Sequence, residues 1–282
     1  MYRIDKNTVR ATVRKRPADS DKSSVGSLIA LCGCYGMAGA AIMSAKSALR
    51  SGIGLLKLCV PESIYPIMAS AVPETVFIPY KNINDISFSE KSRYCGAVLA
   101  GCGLGLSEDA GRAVRTLLEQ SEIPLILDAD AINIIANEPE LLKQAHTAVT
   151  LTPHEREFSR LSGKSVEHIR SNREELALGF AREYGVNVVL KGHKTVCASA
   201  DGELWYNDLA GNPGMAVGGS GDVLAGIIAS LTAQGFDPFM SACSGVYIHA
   251  VAGDIAAERF GEISMLPTDI IDCLPEAFAR VL

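Results

Sequence analysis

From about residue 28 onward, short runs that are apolar throughout alternate with longer segments in which apolar positions recur every three or four residues. The runs at residues 28–32, 55–60, 97–100, 125–127, 148–151, 186–190 and 196–198 predict strands, because an extended chain crosses a core in a few residues. The segments 39–51, 109–120, 131–137, 166–184, 221–233 and 238–259 predict helices. Strands without a polar face must be covered on both sides, so the pattern predicts an α/β fold with a mostly parallel central sheet and helices on both faces. No linker rich in Pro, Gly or Ser and no repeat divides the chain, and the loosest stretch is residues 81–92. A single domain over residues 1–282 is expected, with residues 1–22 as a basic arm.

Composition narrows this picture. With 48% hydrophobic residues in 282, the chain can bury a substantial core. Its net charge of −6 argues against a general nucleic-acid or anionic-membrane binder. Arg3, Lys6, Arg10, Arg14, Lys15 and Arg16 crowd the start, and read as a solvated arm or as an edge used in oligomer contacts. No run of about eighteen apolar residues occurs, and the start lacks the apolar centre of a secretory signal, so a cytoplasmic protein is the default expectation. The eight cysteines sit mostly in apolar segments without CxxC spacing, and read as reduced core residues rather than disulfides or a zinc site.

Ligands of such sheets bind beyond the carboxyl ends of the strands, so polar residues after a predicted strand are the first candidates. The run Gly218-Gly219-Ser220-Gly221-Asp222 leads straight into the apolar helix at 221–233. Its glycines clear side chains from a row of amides at a helix start, which makes an anion site suited to a phosphate. An aspartate beside a phosphate is electrostatically out of place unless it takes a proton from a hydroxyl that attacks the phosphoryl group. Alone, Asp222 reads equally as a helix-start acid.

Other segments are weaker alone. Gly101-Cys102-Gly103-Leu104-Gly105 lacks the last glycine of a GxGxxG, Leu106 standing there, and remains a turn near a ligand or a structural turn. Gly163-Lys164-Ser165 mimics the end of a P-loop, but Phe158 occupies the position of its first glycine. Asp128-Ala129-Asp130 puts carboxylates at the ligand edge, with Asp130 read as a helix N-cap and Asn133 within reach of a phosphate or metal-bound water. His154 and Glu157, three apart after Thr152-Pro153, share one helical face and could meet a ligand or hydrated magnesium; a capping histidine and a helix-start acid are the plainer alternative. Lys191-Gly192-His193-Lys194-Thr195 makes a tight turn with two cations and a hydroxyl, suited to a nucleotide, although charged hairpins are common on surfaces. The glycine- and alanine-rich residues 36–50 suggest close helix packing, and His249 a core or interface histidine.

In this order the segments resemble the ADP/ATP-dependent NAD(P)H-hydrate dehydratase family, a branch of the ribokinase-like superfamily. The likeness runs through Met37-Ala38-Gly39-Ala40-Ala41, Leu49-Arg50-Ser51-Gly52-Ile53-Gly54, the glycine turn at 101–105, Asp128-Ala129-Asp130-Ala131, Leu151-Thr152-Pro153-His154, Lys191 to Thr195 and the stretch 211–222. It implies a ribokinase-like fold and repair of the 6-hydroxy hydrates of NADH or NADPH: a nucleotide phosphorylates the hydroxyl, and phosphate then leaves. Asp222 would be the base, and the amides of Gly219, Ser220 and Gly221 would hold the transferred phosphoryl. Lys191, Gly192, His193, Lys194 and Thr195, with Gly221, would contact the nucleotide. Ala40, Gly103, His154 and Asp222 would contact the hydrated dinucleotide, and Glu157 would organise Mg2+ through water. The family pattern is broken by Glu155 and Arg156 in place of Pro-Gly, Ser220 in place of threonine, Cys102 in place of proline and Cys34 in place of serine. The resemblance further implies ADP as the favoured donor over ATP, a homo-oligomer with a tetramer as the expected form, and a separate NAD(P)H-hydrate epimerase, whose domain this chain lacks. A hydroxyethylthiazole-type kinase of the same superfamily is the alternative, and a nucleotide-sensing binding protein a third reading.

Overall fold

The structure is a computed structural model that describes residues 1–21 and 24–282. In chain order its elements are β1 (Tyr2–Arg3), α1 (Lys6–Thr12), β2 (Ser27–Leu31), α2 (Ala38–Arg50), β3 (Leu55–Pro61), α3 (Tyr65–Ala71), β4 (Val76–Tyr80), α4 (Phe88–Lys91), β5 (Ala97–Ala100), α5 (Glu108–Gln120) and β6 (Leu125–Leu127). They continue with α6 (Ala129–Ile135), β7 (Val149–Leu151), α7 (Glu155–Ser162), α8 (Val166–Ser171), α9 (Arg173–Tyr184), β8 (Asn187–Leu190), β9 (Thr195–Ala198), β10 (Leu204–Asn207), α10 (Ser220–Ala233), α11 (Pro238–Phe260) and α12 (Pro267–Val281). The strands form one sheet in the order β1-β10-β9-β8-β7-β6-β5-β2-β3-β4. Neighbours pair in parallel except at β8/β9 and β9/β10, so β9 alone runs against the rest.

The apolar strands are buried on both faces, as their lack of polar alternation requires. Along β2, Leu28 and Ala30 join one core cluster while Ile29 and Leu31 join the other, the two-residue period of an extended chain. One face is covered by α5, α6, α7 and α9, through residues such as Val114, Ile132, Phe158 and Phe180. On the other face α10 lies directly on the sheet. Its Leu224, Ala225 and Ile228 point to the strands, and Val223, Ile227 and Leu231 to a further layer with α11 and α12. A helix covered on two sides has no room for a polar face, and α10 is buried from Val223 to Ala233. Small buried residues of α2, Ala41, Ser44, Ala45, Ser47 and Ala48, let it pack closely alongside.

Four features depart from the sequence-based expectation. The basic arm is folded in: β1 pairs with β10, Ile4 and Val9 are fully buried, and Asp5 caps α1, which packs on α11 and α12. The expected end of that arm at Lys22 lies outside the described residues. The single helix expected over 166–184 is two, broken at Asn172 (φ −137°, ψ 38°). The edge strand β4 and the outlying strand β10, which is covered only by the two-residue β1, are not predicted, because their half-exposed residues carry no continuous apolar run. Residues 81–92 are not featureless, since they contain a 3-10 turn at Ile83–Asp85, with Ile83 buried, and α4.

The parallel part of the sheet positions the site. From β2 the chain winds outward to β3 and β4, then returns to place β5 on the other side of β2 before continuing to β6, β7 and β8. The strand order therefore reverses between β2 and β5, and a ligand crevice opens beyond their carboxyl ends.

Candidate active site

At that edge β2 and β5 run into two linked turns: Gly33 N–H donates to the Cys102 carbonyl at 2.9 Å, and Gly101 N–H to the Leu31 carbonyl. Gly103 (φ +63°) packs so closely on α2 that a Cβ there would stand 2.8 Å from the Ala40 Cβ. Two residues predicted to contact the dinucleotide, Ala40 and Gly103, thus face each other at the crevice mouth.

Asp128 follows β6 directly. It occupies the N-cap of α6, a position the sequence suggested for Asp130, but its side chain makes no capping bond. Asp130 lies instead in the first turn and accepts the Gly105 N–H at 2.8 Å, and Asn133 accepts from Arg160. Ala129 has a left-handed φ of 47°, uncommon for a residue with a Cβ and a mark of backbone held for a purpose. The close approach of the two turns needs glycine at 101, where a Cβ would fall 1.9 Å from the Asp128 carbonyl oxygen.

The Asp128 carboxylate is only 1% exposed and is tightly held. Lys191 Nζ lies 2.8 Å from Oδ1, Thr152 Oγ1 donates to the same oxygen at 2.7 Å, and the Cys102 thiol donates to Oδ2 at 3.8 Å. Lys191 follows β8, so its ammonium crosses beneath the crevice instead of facing outward. It also lies 4.0 Å from Glu157 and 3.2 Å from the place of a Cβ on Gly221. Burial pulls this ammonium down, but pairing with Asp128 and Glu157 outweighs it, and its net pKa shift is upward.

Helix α10 brings the glycine-rich run to the same place. Gly219 is its N-cap at φ +105°, where an L side chain would be strained and would collide with Met43. Ser220 is turned inward, its hydroxyl 3.3 Å from His249 Nε2 and its N–H shared with the Val217 carbonyl at 3.2 Å. His249 is the core histidine the sequence suggested; burial, aided by Lys191, pushes its pKa down to about 4. Asp222 sits in the first turn rather than at the cap, and its carboxyl meets Cys102 and Asp128. Burial first and the Asp128 charge second push its pKa up to about 7, against the pull of the neighbouring Cys102 thiol and of Lys191.

His154 and Glu157 do share a face, as a reciprocal cap on α7. His154 Nδ1 accepts the N–H groups of Arg156 and Glu157, and Glu157 Oε2 accepts the His154 N–H at 2.8 Å. The His154 ring is half exposed and faces Glu157 with Nε2 at 3.5 Å from Oε1. Burial, together with Lys191 and Arg160, lowers the His154 pKa, and burial raises that of Glu157. The turn at 191–195 is closed by Thr195, whose Oγ1 donates to the Gly192 carbonyl; His193 is exposed, and Lys194 pairs with Glu174. Arg173 holds this turn from behind, donating to the carbonyls of Leu190 and Lys191 while it pairs with Glu155 at 2.7 Å.

As a magnesium position Glu157 fits only at one remove. One of its oxygens is spent on the helix cap and the other faces His154, which leaves it able to hold a water of such an ion but not the ion itself. The donor atoms of Cys102, Asp128 and Asp222 lie within 4.8 Å of one another, but a thiol is a poor ligand for a hard cation and Lys191 already neutralises Asp128. All eight cysteines are free, and seven are buried.

The sequence left Asp128 without a role and did not foresee Thr152 or Cys102 beside it. The available signal was position: each follows a strand at the carboxyl edge. Their convergence depends on strand order.

Residues 28–276 match the model of a family described as NAD(P)H-hydrate dehydratase. The chain is 37% identical over 274 residues to a bifunctional NAD(P)H-hydrate repair enzyme Nnr of Moorella thermoacetica, an alignment that covers 94% of this chain and 52% of the relative. It thus spans about half the length of the first curated relatives it matches. It is 36% identical to an ADP-dependent (S)-NAD(P)H-hydrate dehydratase of Neisseria meningitidis, over 88% of this chain and 83% of the relative. A Bacillus subtilis ADP/ATP-dependent NAD(P)H-hydrate dehydratase, co-crystallised with ATP/Mg2+, superposes with a TM-score of 0.89 at 31% identity, covering 100% of this chain and 99% of that one. A hydroxyethylthiazole kinase of Pyrococcus horikoshii shares the fold alone, with a TM-score of 0.65 at 15% identity over 96% of this chain and 92% of that one.

Proposed function

The chain belongs to the NAD(P)H-hydrate dehydratase family, and from that premise we propose that it restores NADH or NADPH from the 6-hydroxy hydrate. It would move a phosphoryl group from ADP or ATP onto the hydroxyl and release it as phosphate. The observation that carries this reading is the placement of a half-buried carboxyl, Asp222, beside Asp128 and Cys102 in the first turn of the helix whose glycine-rich start would cradle a phosphate.

In the first step the substrate O–H bond breaks and its proton passes to Asp222. The hydroxyl oxygen bonds to the terminal phosphorus as the bond to the departing nucleotide breaks. The amides of Gly219, Ser220 and Gly221, that of Ser220 already shared with Val217, and the adjacent Lys191 ammonium would offset the charge on the phosphoryl oxygens. Phosphate then leaves with the electron pair of the C–O bond. The ring-nitrogen lone pair fills the deficit, and loss of a proton from the neighbouring carbon closes the double bond. The turn of Gly192, His193, Lys194 and Thr195 would hold the nucleotide, and Ala40, Gly103 and His154 the dinucleotide. Glu157 would hold a water of a magnesium ion brought by the nucleotide phosphates, an ion that would supply charge neutralisation there. A homo-oligomer, a tetramer by this reading, working in the cytoplasm beside a separate epimerase completes the proposal. No helix among the described residues is long and apolar enough to cross a membrane.

The test is recovery of NADH absorbance from purified hydrate, with ADP and ATP run side by side. Asp222→Asn is expected to lower turnover by about 10²–10⁴-fold, the usual worth of a general base. Full turnover in that variant, or a phosphorylated alcohol that accumulates without elimination, would overturn the reading.

A further inference from the structure

We propose that Asp128 is a positioning residue for phosphoryl transfer, pinned by Lys191 and Thr152 so that its negative charge lies against Asp222 and strengthens that carboxylate as a base. The inference rests on the dehydratase reading for the identity of the step, but the geometry belongs to this chain. Asp128 is essentially without solvent. Three side chains from three strand ends, Lys191 after β8, Thr152 after β7 and Cys102 after β5, converge on its two oxygens. The left-handed backbone at Ala129 and the glycine at 101 hold it at this edge. A carboxylate meant only to cap α6 would turn toward the helix amides, and this one makes no capping bond. It turns to the crevice, where one of its oxygens, the Cys102 sulfur and an Asp222 oxygen lie within 4.8 Å of one another.

Two carboxylates this close compete for the same cation, and a like charge makes the less compensated partner the stronger proton acceptor. Lys191 and Thr152 compensate Asp128, so Asp222 takes the proton. The charges that face Asp222 from the packed elements are Asp128 and Asp130 after β6 and Lys191 after β8, and the Cys102 thiol, whose proton points to Asp128, lies beside them. His249, on α11, contacts the preceding turn through Ser220 and is uncharged at neutral pH. The arrangement gives the half-buried acid at the helix start a higher proton affinity than a solvated carboxylate has.

The test reads Asp222 directly, by carbon-13 NMR titration of labelled aspartate carboxyls in the intact chain, with Asp222→Asn identifying the signal. In Asp128→Asn the Asp222 midpoint is expected to fall by about one pH unit or more, because a negative neighbour is lost and Lys191 is freed to face Asp222. In Lys191→Met it is expected to rise by a similar amount, and this variant keeps the test decisive if Asp128→Asn fails to fold. Asp128→Glu should return the midpoint toward the parent value. Midpoints that do not move, or that move the same way in both variants, would overturn the proposal. The acid limb of kcat for hydrate repair should follow the NMR midpoints. Opposed midpoint shifts in a chain that repairs no hydrate would leave the inference standing and remove the dehydratase reading. Repair whose acid limb ignores Asp128→Asn would do the reverse.

Discussion

Asp222 is held where burial and a neighbouring carboxylate make its proton hard to remove, and this has a consequence for stability as well as for chemistry. Its folded pKa of about 7 lies above the usual 3.8, so between those values the folded state binds a proton that the unfolded chain has lost. Its contribution to stability is complete below about pH 4 and fades as pH rises through about 7. Asp222→Asn removes that dependence. The variant should melt with the parent at pH 4 and a few degrees above it at pH 8, measured by calorimetry across that range. His249 acts in the opposite sense. Its pKa is lowered to about 4 from 6.5, so its contribution is present above pH 6.5 and is lost as pH falls toward 4. The Asp222 carboxyl thus carries a stability cost near neutrality that an inert amide would not.

At the scale of elements, the turn between β8 and β9 depends on a helix behind it. Arg173, the first residue of α9, pairs with Glu155 at the start of α7 and donates to the carbonyls of Leu190 and Lys191. Glu155, one of the departures from the family pattern, is therefore structural, because it holds the arginine that holds the 191–195 turn, and Arg170 joins it at 2.8 Å. Two charge-assisted bonds to carbonyls are worth enough to set the turn's position. Arg173→Met is expected to raise KM for the nucleotide by about tenfold with a smaller change in kcat, since binding rather than chemistry is disturbed. Steady-state kinetics with the nucleotide varied would check this. An unchanged KM would mean that the turn stands without its clamp. The break at Asn172 belongs to the same device, because it frees α9 to begin with Arg173 directed at the turn.

At the scale of the whole molecule, the first twelve residues strap one edge of the sheet to the outer helices. Tyr2 stacks on Trp205 with ring centroids 5.0 Å apart, and Ile4 is fully buried in the core layer over the sheet. Ile4→Ala should cost about 2–4 kcal/mol of unfolding free energy, the usual loss for a buried aliphatic chain. Urea denaturation measures it, and an unchanged midpoint would make the strap dispensable. A charge run at a chain end reads as a solvated arm because its few apolar residues, Ile4 and Val9, show no period long enough to see.

Much of the fold was legible because it rests on local rules. Uninterrupted apolar runs read as interior strands and three-to-four periodicity as helix, so seven strands, β2, β3 and β5 to β9, and the principal helices follow from residue order alone. The glycine-rich start of α10, with an acid in its first turn, was equally legible, since a row of glycines running into an apolar segment marks a helix start. What only the tertiary structure decided is which strand ends meet. Cys102, Asp128, Thr152, Lys191 and Asp222 come from five separate segments, and each alone reads as a turn residue, a cap or a surface charge. The reversal of strand order between β2 and β5, and the seating of α10 across the sheet, bring them into one largely enclosed cluster. Proton affinity depends on distance and burial in space, which no spacing along the chain encodes.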